Sequence, residues 1–353
     1  MLIHKNFTGG NIRVCELKDD VVYLENELRD TIEPWFYWAF CVEGGNNQTL
    51  TFKFKSNVLG YFGPAISYDL KNWKWLDCKC GDDFFTYTFG ADENRVYFAH
   101  SMLYHPERFE KFVESKGLKA EKLCTGYKGS AVPCLKFGEG KRSVILTTRH
   151  HACESTGSYV LEGVLTELIE YPATDTRVFC VPFVDYEGVI RGDQGKSRAP
   201  HDHNRDYQKN QDSIYPECAA IKEYARINGC YYAFDFHAPN HKGGENDRIF
   251  IVRNRLDRLQ RYEKFSYLFE KSITENSMKY YAANDYPPET GWNHFGAQFA
   301  AYMSGFPENQ LSFSLENAYF GTQDNKVSEE RLVELGKCFA KALKKYMLIE
   351  KRL

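Results

Sequence analysis

The sequence has no excess of one charge and no long apolar run. Its 353 residues include 45 Lys and Arg against 48 Asp and Glu, a formal charge of −3 that is spread along the chain. This balance excludes a polybasic surface for nucleic acid or for an anionic membrane. No stretch approaches the roughly 20 apolar residues that span a bilayer, and none resembles a secretion signal. We therefore expect a cytoplasmic protein with no nucleic-acid or membrane partner.

The eleven cysteines lack the pattern of a disulfide framework. Their number is odd, and they are scattered through strand-like and helix-like segments. That distribution favours reduced, mostly buried thiols. Aromatic residues, in contrast, are plentiful at 16%, which indicates large packed cores or aromatic-lined clefts.

The periodicity of the chain changes near residue 103. Residues 1–103 contain short aromatic and β-branched runs separated by turn signals such as Gly44-Gly45-Asn46-Asn47, which predicts an all-β antiparallel sandwich domain. The aromatic run at residues 35–38 fits the core of that sandwich better than a ligand surface, because aromatics in strands usually pack. In residues 104–353 strands alternate with helices. This pattern predicts an α/β catalytic domain with a mixed, largely parallel sheet flanked by helices.

Two histidines stand where ligands usually bind in such a sheet. Strands are predicted over 142–149, 176–185 and 230–237, and helices over 159–169, 216–228 and 328–347. Ligands of open α/β sheets bind outside the carboxyl ends of the strands. His151 and His237 both lie at such ends, so we expect a functional site there.

The stretch "RHHACE" suggests half of a metal site. His151 and Glu154 lie three residues apart across a strand-to-helix turn, and His237 is the best third ligand, with Asp235 placed to orient an imidazole. A histidine and a glutamate at this spacing also occur by chance, and His237 alone fits a hydrogen-bonded strand-end histidine. His150 should face the opposite side of the strand, although it substitutes if the register differs.

Two further elements add chemistry that a metal site needs. Asn204 and Arg205 place an amide beside a guanidinium, a combination suited to gripping a carboxylate. The alternative is that Arg205 pairs with a neighbouring acid, Asp202 or Asp206, on the surface. Glu316 ends an alternating strand and is placed to act as a general base.

Taken in order, His-x-x-Glu, Asn-Arg, strand-His and strand-Glu resemble the pattern of the M14-type zinc metallocarboxypeptidases. Within that family the chain is most similar to the cytosolic carboxypeptidase branch, whose members carry a β-sandwich before the catalytic domain. The resemblance covers nearly the whole chain. It implies one Zn²⁺ per chain, held by His151, Glu154 and His237. It also implies that Asn204 and Arg205 hold the terminal carboxylate of the substrate, and that Glu316 is the general base and acid.

The chain departs from the family pattern upstream of Asn204. The family uses an arginine there to polarise the scissile carbonyl, and here the region offers Arg191, Lys196 and Arg198, none of them at the expected place. We expect Arg191 or Arg198 to take this role. The usual Asn-Pro-Asp-Gly is changed to the residues at 185–188. Tyr286 is the candidate for the family tyrosine that closes over the substrate.

The resemblance implies hydrolysis of the C-terminal peptide bond, or an isopeptide-like amide, of a peptide or protein by zinc-activated water. One alternative is an amidohydrolase similar to aspartoacylase and succinylglutamate desuccinylase, acting on acylated amino acids. A sandwich before the catalytic part, rather than a β domain after it, favours the peptidase. The other alternative is a catalytically silent peptide-binding protein, and retention of the three ligands and Glu316 argues against it. The terminal residue removed and the oligomeric state stay open.

Overall fold

The N-terminal part of the chain forms two stacked sheets in the computed structural model, which describes residues 1–78 and 80–350. Its strands are β1 (Leu2–His4), β2 (Arg13–Lys18), β3 (Val21–Glu25), β4 (Ala39–Glu43), β5 (Thr49–Phe54), β6 (Ala65–Ser67), β7 (Lys74–Trp75), β8 (Phe84–Thr88) and β9 (Arg95–Ala99). One sheet has the order β1-β4-β9-β6-β7 and the other β2-β3-β5-β8. The predicted sandwich is confirmed, with one difference: β3 and β5 pair in parallel, whereas the other pairs are antiparallel.

Phenylalanines from both sheets meet in the middle of this sandwich. Phe40 of β4 lies 5.2 Å from Phe52 of β5, and Phe98 of β9 lies 5.3 Å from Phe85 of β8, measured between ring centroids. All four side chains are fully buried. Burial of each ring stabilises the fold by about 1.5–3 kcal/mol. In the aromatic run at residues 35–38 that was predicted as core, the last three side chains are buried and the first, Trp35, is only partly buried.

The rest of the chain folds around a seven-stranded sheet of order β10-β11-β13-β12-β14-β16-β15. The strands from this part of the chain are β10 (Glu121–Thr125), β11 (Ala131–Phe137), β12 (Arg142–Thr148), β13 (Thr176–Val181), β14 (Tyr232–His237), β15 (Phe250–Val252), β16 (Leu311–Glu316) and a small hairpin of β17 (Gly321–Thr322) and β18 (Asn325–Lys326). The central strands β13, β12, β14 and β16 run parallel, and the outer strands are antiparallel. The predicted mixed sheet is confirmed.

Helices cover both faces of this sheet. They are α1 (Pro106–Ser115), α2 (Ser155–Glu170), α3 (Tyr186–Arg191), α4 (Pro216–Asn228), α5 (Leu259–Glu270), α6 (Phe299–Met303) and α7 (Glu329–Glu350). Alternate side chains of β12 point to opposite faces: Leu146 belongs to the core that includes α2, α5 and α7, and Ile145 to the core that includes α4 and α6.

Helices α2 and α7 approach unusually closely. A Cβ atom on Gly163 of α2 would lie 1.9 Å from the carbonyl oxygen of Val333, and one on Gly336 of α7 would lie 2.0 Å from that of Val160. Only glycine therefore fits at either position. No helix in the part of the chain that the structure describes combines the length and apolar character that a membrane crossing requires.

The eleven cysteines, all within the described residues, are free thiols and most of them are buried, in agreement with the prediction made from their scattered distribution.

The sheet register explains where a site forms. His237, the last residue of β14, pairs with Glu316, the last residue of β16, and β12 ends beside them. Polar side chains that are far apart in sequence therefore meet at one edge.

Candidate active site

Three metal-ligating side chains converge at this edge of the sheet. Beyond β12 the chain turns at Arg149, which has a φ of 61°, and this turn delivers His151 and then Glu154, the N-cap residue of α2. The two carboxylate oxygens of Glu154 lie 2.8 Å from Nδ1 of His151 and 2.8 Å from Nδ1 of His237. All three donor atoms fall within 4.8 Å of one another. Two imidazoles and one carboxylate form a donor set typical of catalytic zinc.

The far side of each imidazole faces another carboxylate. Nε2 of His237 contacts Asp235, and Nε2 of His151 lies 3.6 Å from Oδ1 of Asp202. A carboxylate at Nε2 favours the tautomer that keeps the Nδ1 lone pair free for a metal. The orienting role predicted for Asp235 agrees with this contact. Asp202, for which the sequence suggested only a pairing with Arg205, takes the corresponding place at His151.

His150 lies behind this cluster. Its ring is fully buried, with Nδ1 at 2.9 Å from Asp235 and Nε2 at 2.8 Å from the hydroxyl of Tyr207. Both nitrogens are thus engaged, so His150 supports Asp235 and offers no free lone pair. The group formed by His150, Asp235 and His237 is compact enough to hold an ion but is completely buried.

A third compact group of possible ligands, His4, Cys41 and Glu43, lies on the sandwich. Nδ1 of His4 accepts a hydrogen bond from the backbone N–H of Asn6 at 3.1 Å, so Nε2 carries the proton and cannot ligate. Glu43 is already paired with the guanidinium of Arg95 at 2.7 Å. This group does not suit a metal.

Glu316 faces the same cavity with an unsatisfied oxygen. Its Oε2 is buried and has no hydrogen-bond donor among the described residues. Burial, together with the nearby charge of Glu154, raises the pKa of Glu316 to about 7, although His237 and Lys196 oppose the shift. A carboxylate with a pKa near neutrality is well suited to accept and return a proton.

The cavity that these groups share has a volume of about 100 Å³. Arg205 at its rim is exposed, and its guanidinium donates to the carbonyl of Asn204 at 3.3 Å. The alternative partners are occupied: Asp202 accepts from the N–H of Asn204, and Asp206 binds His201 at 2.8 Å. No described carboxylate pairs with Arg205. The cavity is lined by His151, Asn204, Arg205, His237, Val252, Asn254, Trp292, Asn293, His294, Gln298, Ala300, Ala301, Ser314 and Glu316.

Asn204 is fixed between the cavity and α6. Its Oδ1 accepts a hydrogen bond from the N–H of Phe299 at 3.1 Å, and its Nδ2 lies 3.3 Å from Nε2 of His237. The structure therefore brings Asn204 and Arg205 to the same cavity as the three metal-ligating residues.

The basic residues upstream of Asn204 are not arranged as expected. Arg191 has a half-exposed side chain that lies 3.7 Å from Asp193. Arg198 is buried among three carboxylates, including Asp185 at 2.7 Å, and neither arginine is among the described residues that line the cavity. Both arginines are thus engaged by carboxylates other than Glu154 and Glu316, and this arrangement does not support the role expected of Arg191 or Arg198.

Lys196 is the basic residue that reaches the site. Its Nζ lies 2.7 Å from Oε1 of Glu154 and donates to the carbonyls of Ala238 at 3.4 Å and Pro239 at 3.2 Å. Burial is the largest single influence and lowers the pKa of Lys196, but the nearby charges, that of Glu154 first, and the hydrogen bond to Glu154 together raise it more, so the ammonium form is retained. Its place beside Gly195 in a short loop carried no periodicity from which the sequence could single it out.

Tyr286 lies one layer behind the cavity. Its ring stacks on Trp292 at 4.7 Å between centroids, and Trp292 is the side chain that lines the cavity. The polar wall formed by Asn254, Gln298 and Ser314 was also not singled out in the sequence. Its members stand outside the four ordered motifs, and only the folding of the chain brings them together.

The chain is similar to known carboxypeptidases in sequence and in fold. Residues 3–100 match the model of the cytosolic carboxypeptidase N-terminal domain. An uncharacterized protein of Zymomonas mobilis is 26% identical over 255 residues, which cover 67% of each chain. Cytosolic carboxypeptidase 2 of Xenopus tropicalis is 27% identical over 37% of this chain, but the match spans only 16% of that longer protein.

Solved structures extend the likeness to the whole chain. A metallo-carboxypeptidase from Burkholderia cenocepacia has a TM-score of 0.77 at 17% identity, covering 99% of both chains. A metallo-carboxypeptidase from Pseudomonas aeruginosa, solved with (2-guanidinoethylmercapto)succinic acid, has a TM-score of 0.76 at 18% identity, covering 99% of this chain and 100% of that one. At these identities the likeness establishes the fold.

Proposed function

Because this chain is a cytosolic-carboxypeptidase-like member of the M14-type metallocarboxypeptidases, we propose that it is a zinc-dependent carboxypeptidase. It removes the C-terminal residue of a peptide or protein by hydrolysing the last amide bond. The observation that supports this most is the cluster of His151, Glu154 and His237. Its two histidines line one cavity together with Glu316 and the guanidinium of Arg205, with which no described carboxylate pairs.

The donor set fits one Zn²⁺ per chain. His151, Glu154 and His237 would hold it, because their donor atoms already converge and the cavity beside them leaves a coordination position open. When bound, the ion supplies Lewis acidity and lowers the pKa of a water molecule from about 16 toward roughly 7.

Glu316 transfers the proton between the attacking water and the departing amine. Its Oε2 faces no described donor, and its pKa near 7 makes the carboxylate basic enough to take a proton from the attacking water. The same oxygen then returns the proton to the amine of the departing residue. This exchange keeps the charge of the site balanced through the reaction.

Lys196 binds the carbonyl oxygen as it becomes negative. The ammonium group is buried beside Glu154, so water does not screen its charge. A fixed positive charge in such a site stabilises a developing oxyanion strongly. Lys196 therefore takes the role that the family resemblance assigned to an arginine.

Arg205 and Asn204 select the chain end. The exposed guanidinium of Arg205 has no described carboxylate partner and binds the free α-carboxylate of the terminal residue. Asn204 is held in position beside it by the hydrogen bond from the N–H of Phe299. An internal peptide bond offers no such charge and leaves the donors unpaired.

The test compares a peptide that ends in a free acid with the same peptide ending in an amide. Wild-type enzyme should cleave the amide far more slowly, because a charge-assisted pair that contributes about 1.5–3 kcal/mol is lost. Arg205→Ala should abolish most of this discrimination while zinc content stays unchanged. Arg226→Ala, which removes an exposed arginine of α4, is the control and should keep it.

Equal cleavage of the acid and the amide would contradict the proposal and point to an endopeptidase or a non-peptide amidase. Hydrolysis of N-acyl amino acids without hydrolysis of peptides would instead favour the aspartoacylase-like alternative. Zinc binding without any hydrolysis would favour a silent peptide-binding protein.

A further inference from the structure

The loop that carries Lys196 is held between the two halves of the protein. We call residues 192–198, between α3 and Asn204, the Lys196 loop. On one side it touches the metal-ligating segment: a Cβ on Gly195 would lie 2.1 Å from the backbone nitrogen of Ala152, and the N–H of Cys153 donates to Gln194 at 3.3 Å. Any shift of this loop therefore moves Lys196 relative to Glu154.

The other side of the Lys196 loop is bonded to the sandwich. The side chain of Gln194 pairs with the backbone of Tyr37 twice, accepting from its N–H at 2.9 Å and donating to its carbonyl at 2.8 Å. Nδ2 of Asn11 donates to the carbonyl of Gly192 at 2.6 Å, and the N–H of Ile32 donates to Ser197 at 3.2 Å.

Asp30 of the sandwich makes the central contact. One carboxylate oxygen accepts from the N–H of Gln194 at 3.0 Å, and the other accepts from the N–H of Gly195 at 2.8 Å and from Nε of Arg198 at 3.1 Å. The side chain is 9% exposed, so these charge-assisted bonds are little screened. They fix the backbone just before Lys196 and the side chain of Arg198 just after it.

The sandwich also supports the Lys196 side chain itself. Nζ lies 4.8 Å from the centre of the Trp35 ring, within the range of a cation–π contact. Trp35 is the member of the predicted aromatic core run that is only partly buried. Its indole face guides the ammonium toward Glu154.

We propose that Asp30 is a positioning residue for Lys196. Through Asp30 the N-terminal sandwich helps to hold a residue of the active site in place. Asp30 acts through the Lys196 loop and touches no substrate. The inference rests on the proposed function in so far as Lys196 binds the carbonyl oxygen of the substrate.

The first experiment uses Asp30→Asn in the full chain, assayed with benzoyl-glycyl-X peptides that carry each natural terminal residue. The substitution keeps the volume but turns one acceptor oxygen into a donor that faces an N–H or Arg198. We expect kcat to fall on the order of tenfold to a hundredfold, with KM within about twofold and zinc content unchanged. Asp82→Asn is the control, because it breaks another contact between the halves, with Lys242, away from the Lys196 loop.

A double-mutant cycle tests whether Asp30 affects kcat through Lys196. Lys196→Met removes the charge at similar length, and Asp30→Asn should then cost no further activity. Multiplicative losses in the double variant would overturn the proposal, because Asp30 would be acting elsewhere. If Asp30→Asn does not fold, Gln194→Met replaces it, because this substitution removes the two hydrogen bonds to Tyr37. It should lower kcat to the same extent and should cost no further activity in the Lys196→Met background.

Hydrogen exchange gives a readout that does not depend on activity. In Asp30→Asn the amides of Gln194 and Gly195 should exchange on the order of tenfold faster, whereas Asp82→Asn should leave them unchanged. Unchanged exchange in Asp30→Asn would overturn the proposal. If the wild-type enzyme cleaves no amide, the proposed function fails, and the exchange result still decides whether Asp30 fixes the loop.

Discussion

The pKa values of two buried glutamates at this site, Glu154 and Glu316, are shifted in opposite directions. Burial alone raises the pKa of both carboxyls, but His151, Lys196 and His237 hold the pKa of Glu154 well below its usual range. Glu316 lies farther from these cations, and burial raises its pKa to about 7. Such a separation suits one glutamate as a permanently ionised ligand and the other as a proton carrier.

Glu316→Gln should therefore abolish turnover without removing the metal. The amide keeps nearly the same volume but has no basic oxygen, and loss of a general base costs on the order of a hundredfold or more in kcat. Zinc content and peptide hydrolysis are measured on the same preparation. A variant that loses its zinc, or that hydrolyses peptides normally, would contradict the role.

His237→Ala should lose the metal. One of three donors disappears, and the neighbouring Asp235 would lose the imidazole that it orients. Elemental analysis of wild type and variant gives the result, with His241→Ala as the matched control that should retain one zinc per chain. Full retention in His237→Ala would instead bring His150 or His241 forward as a ligand.

In helix α4, burial of a glutamate outweighs the stabilisation that the helix N-terminus gives to its negative charge. Glu217 lies in its first turn, where the helix dipole favours a negative charge. The side chain is nevertheless fully buried, and burial, reinforced by the charge of Asp185, raises the pKa of Glu217 to about 7. In the unfolded chain the same carboxyl ionises near its ordinary value of 4.5.

This difference makes stability depend on pH. Below pH 4.5 Glu217 is protonated in both the folded and the unfolded chain. Between pH 4.5 and 7 only the unfolded chain releases the proton. The free energy of unfolding therefore falls as the pH rises, by up to about 3 kcal/mol. Glu217→Gln should remove this loss and be more stable than wild type at pH 8 but not at pH 4.5. Urea unfolding at both values measures the effect.

Glu223→Gln is the control for this prediction, because Glu223 lies on the exposed face of the same helix. It should show little change in pH dependence. An equal gain from Glu217→Gln at both pH values would mean that the ionisation of Glu217 is not the cause.

At the scale of the whole molecule, the two halves share one core. Buried side chains of the sandwich and of the sheet face covered by α2 and α7 form a single contiguous apolar cluster. Hydrogen bonds join the same halves: Asp30 accepts one from Gln194, and Asn11 and Tyr37 each donate one to residues 192–194. We propose that the segments 1–103 and 104–353 are architectural units that fold together rather than independent domains.

Unfolding should therefore be a single transition, and the chain offers a separate probe for each half. Four of the five tryptophans, Trp35, Trp38, Trp73 and Trp75, lie in the sandwich, whereas the α-helices of the described residues begin at Pro106. In Trp292→Phe, tryptophan fluorescence reports the sandwich and far-ultraviolet circular dichroism reports mainly the catalytic half. The two midpoints should coincide in urea. Midpoints that differ would show that the halves unfold separately.

Much of the fold follows from local patterns that the sequence contains. Short aromatic and β-branched runs predicted the strands of the N-terminal half, such as β5 and β9, and helical spacing over residues 216–228 predicted α4. These patterns are readable because a strand or helix imposes its period on neighbouring residues. The parallel pairing of β3 with β5 was not predicted, since pairing joins distant segments and leaves no local period.

The sequence by itself was enough to propose the donor residues and their order, because His151 follows a strand, Glu154 begins the next helix and His237 ends another strand, whatever the details of packing. Only the tertiary structure decided which basic side chain joins them. Arg191 ends helix α3, whereas Lys196 and Arg198 lie in the short loop that follows, where Gly192, Gly195 and Ser197 adopt positive φ angles and the chain follows no repeat. The directions of the Lys196 and Arg198 side chains depend on contacts with Trp35 and Asp30 of the sandwich, more than 150 residues away in the chain. Arg198 is drawn to Asp30 and Asp185, and Lys196 is left to face Glu154.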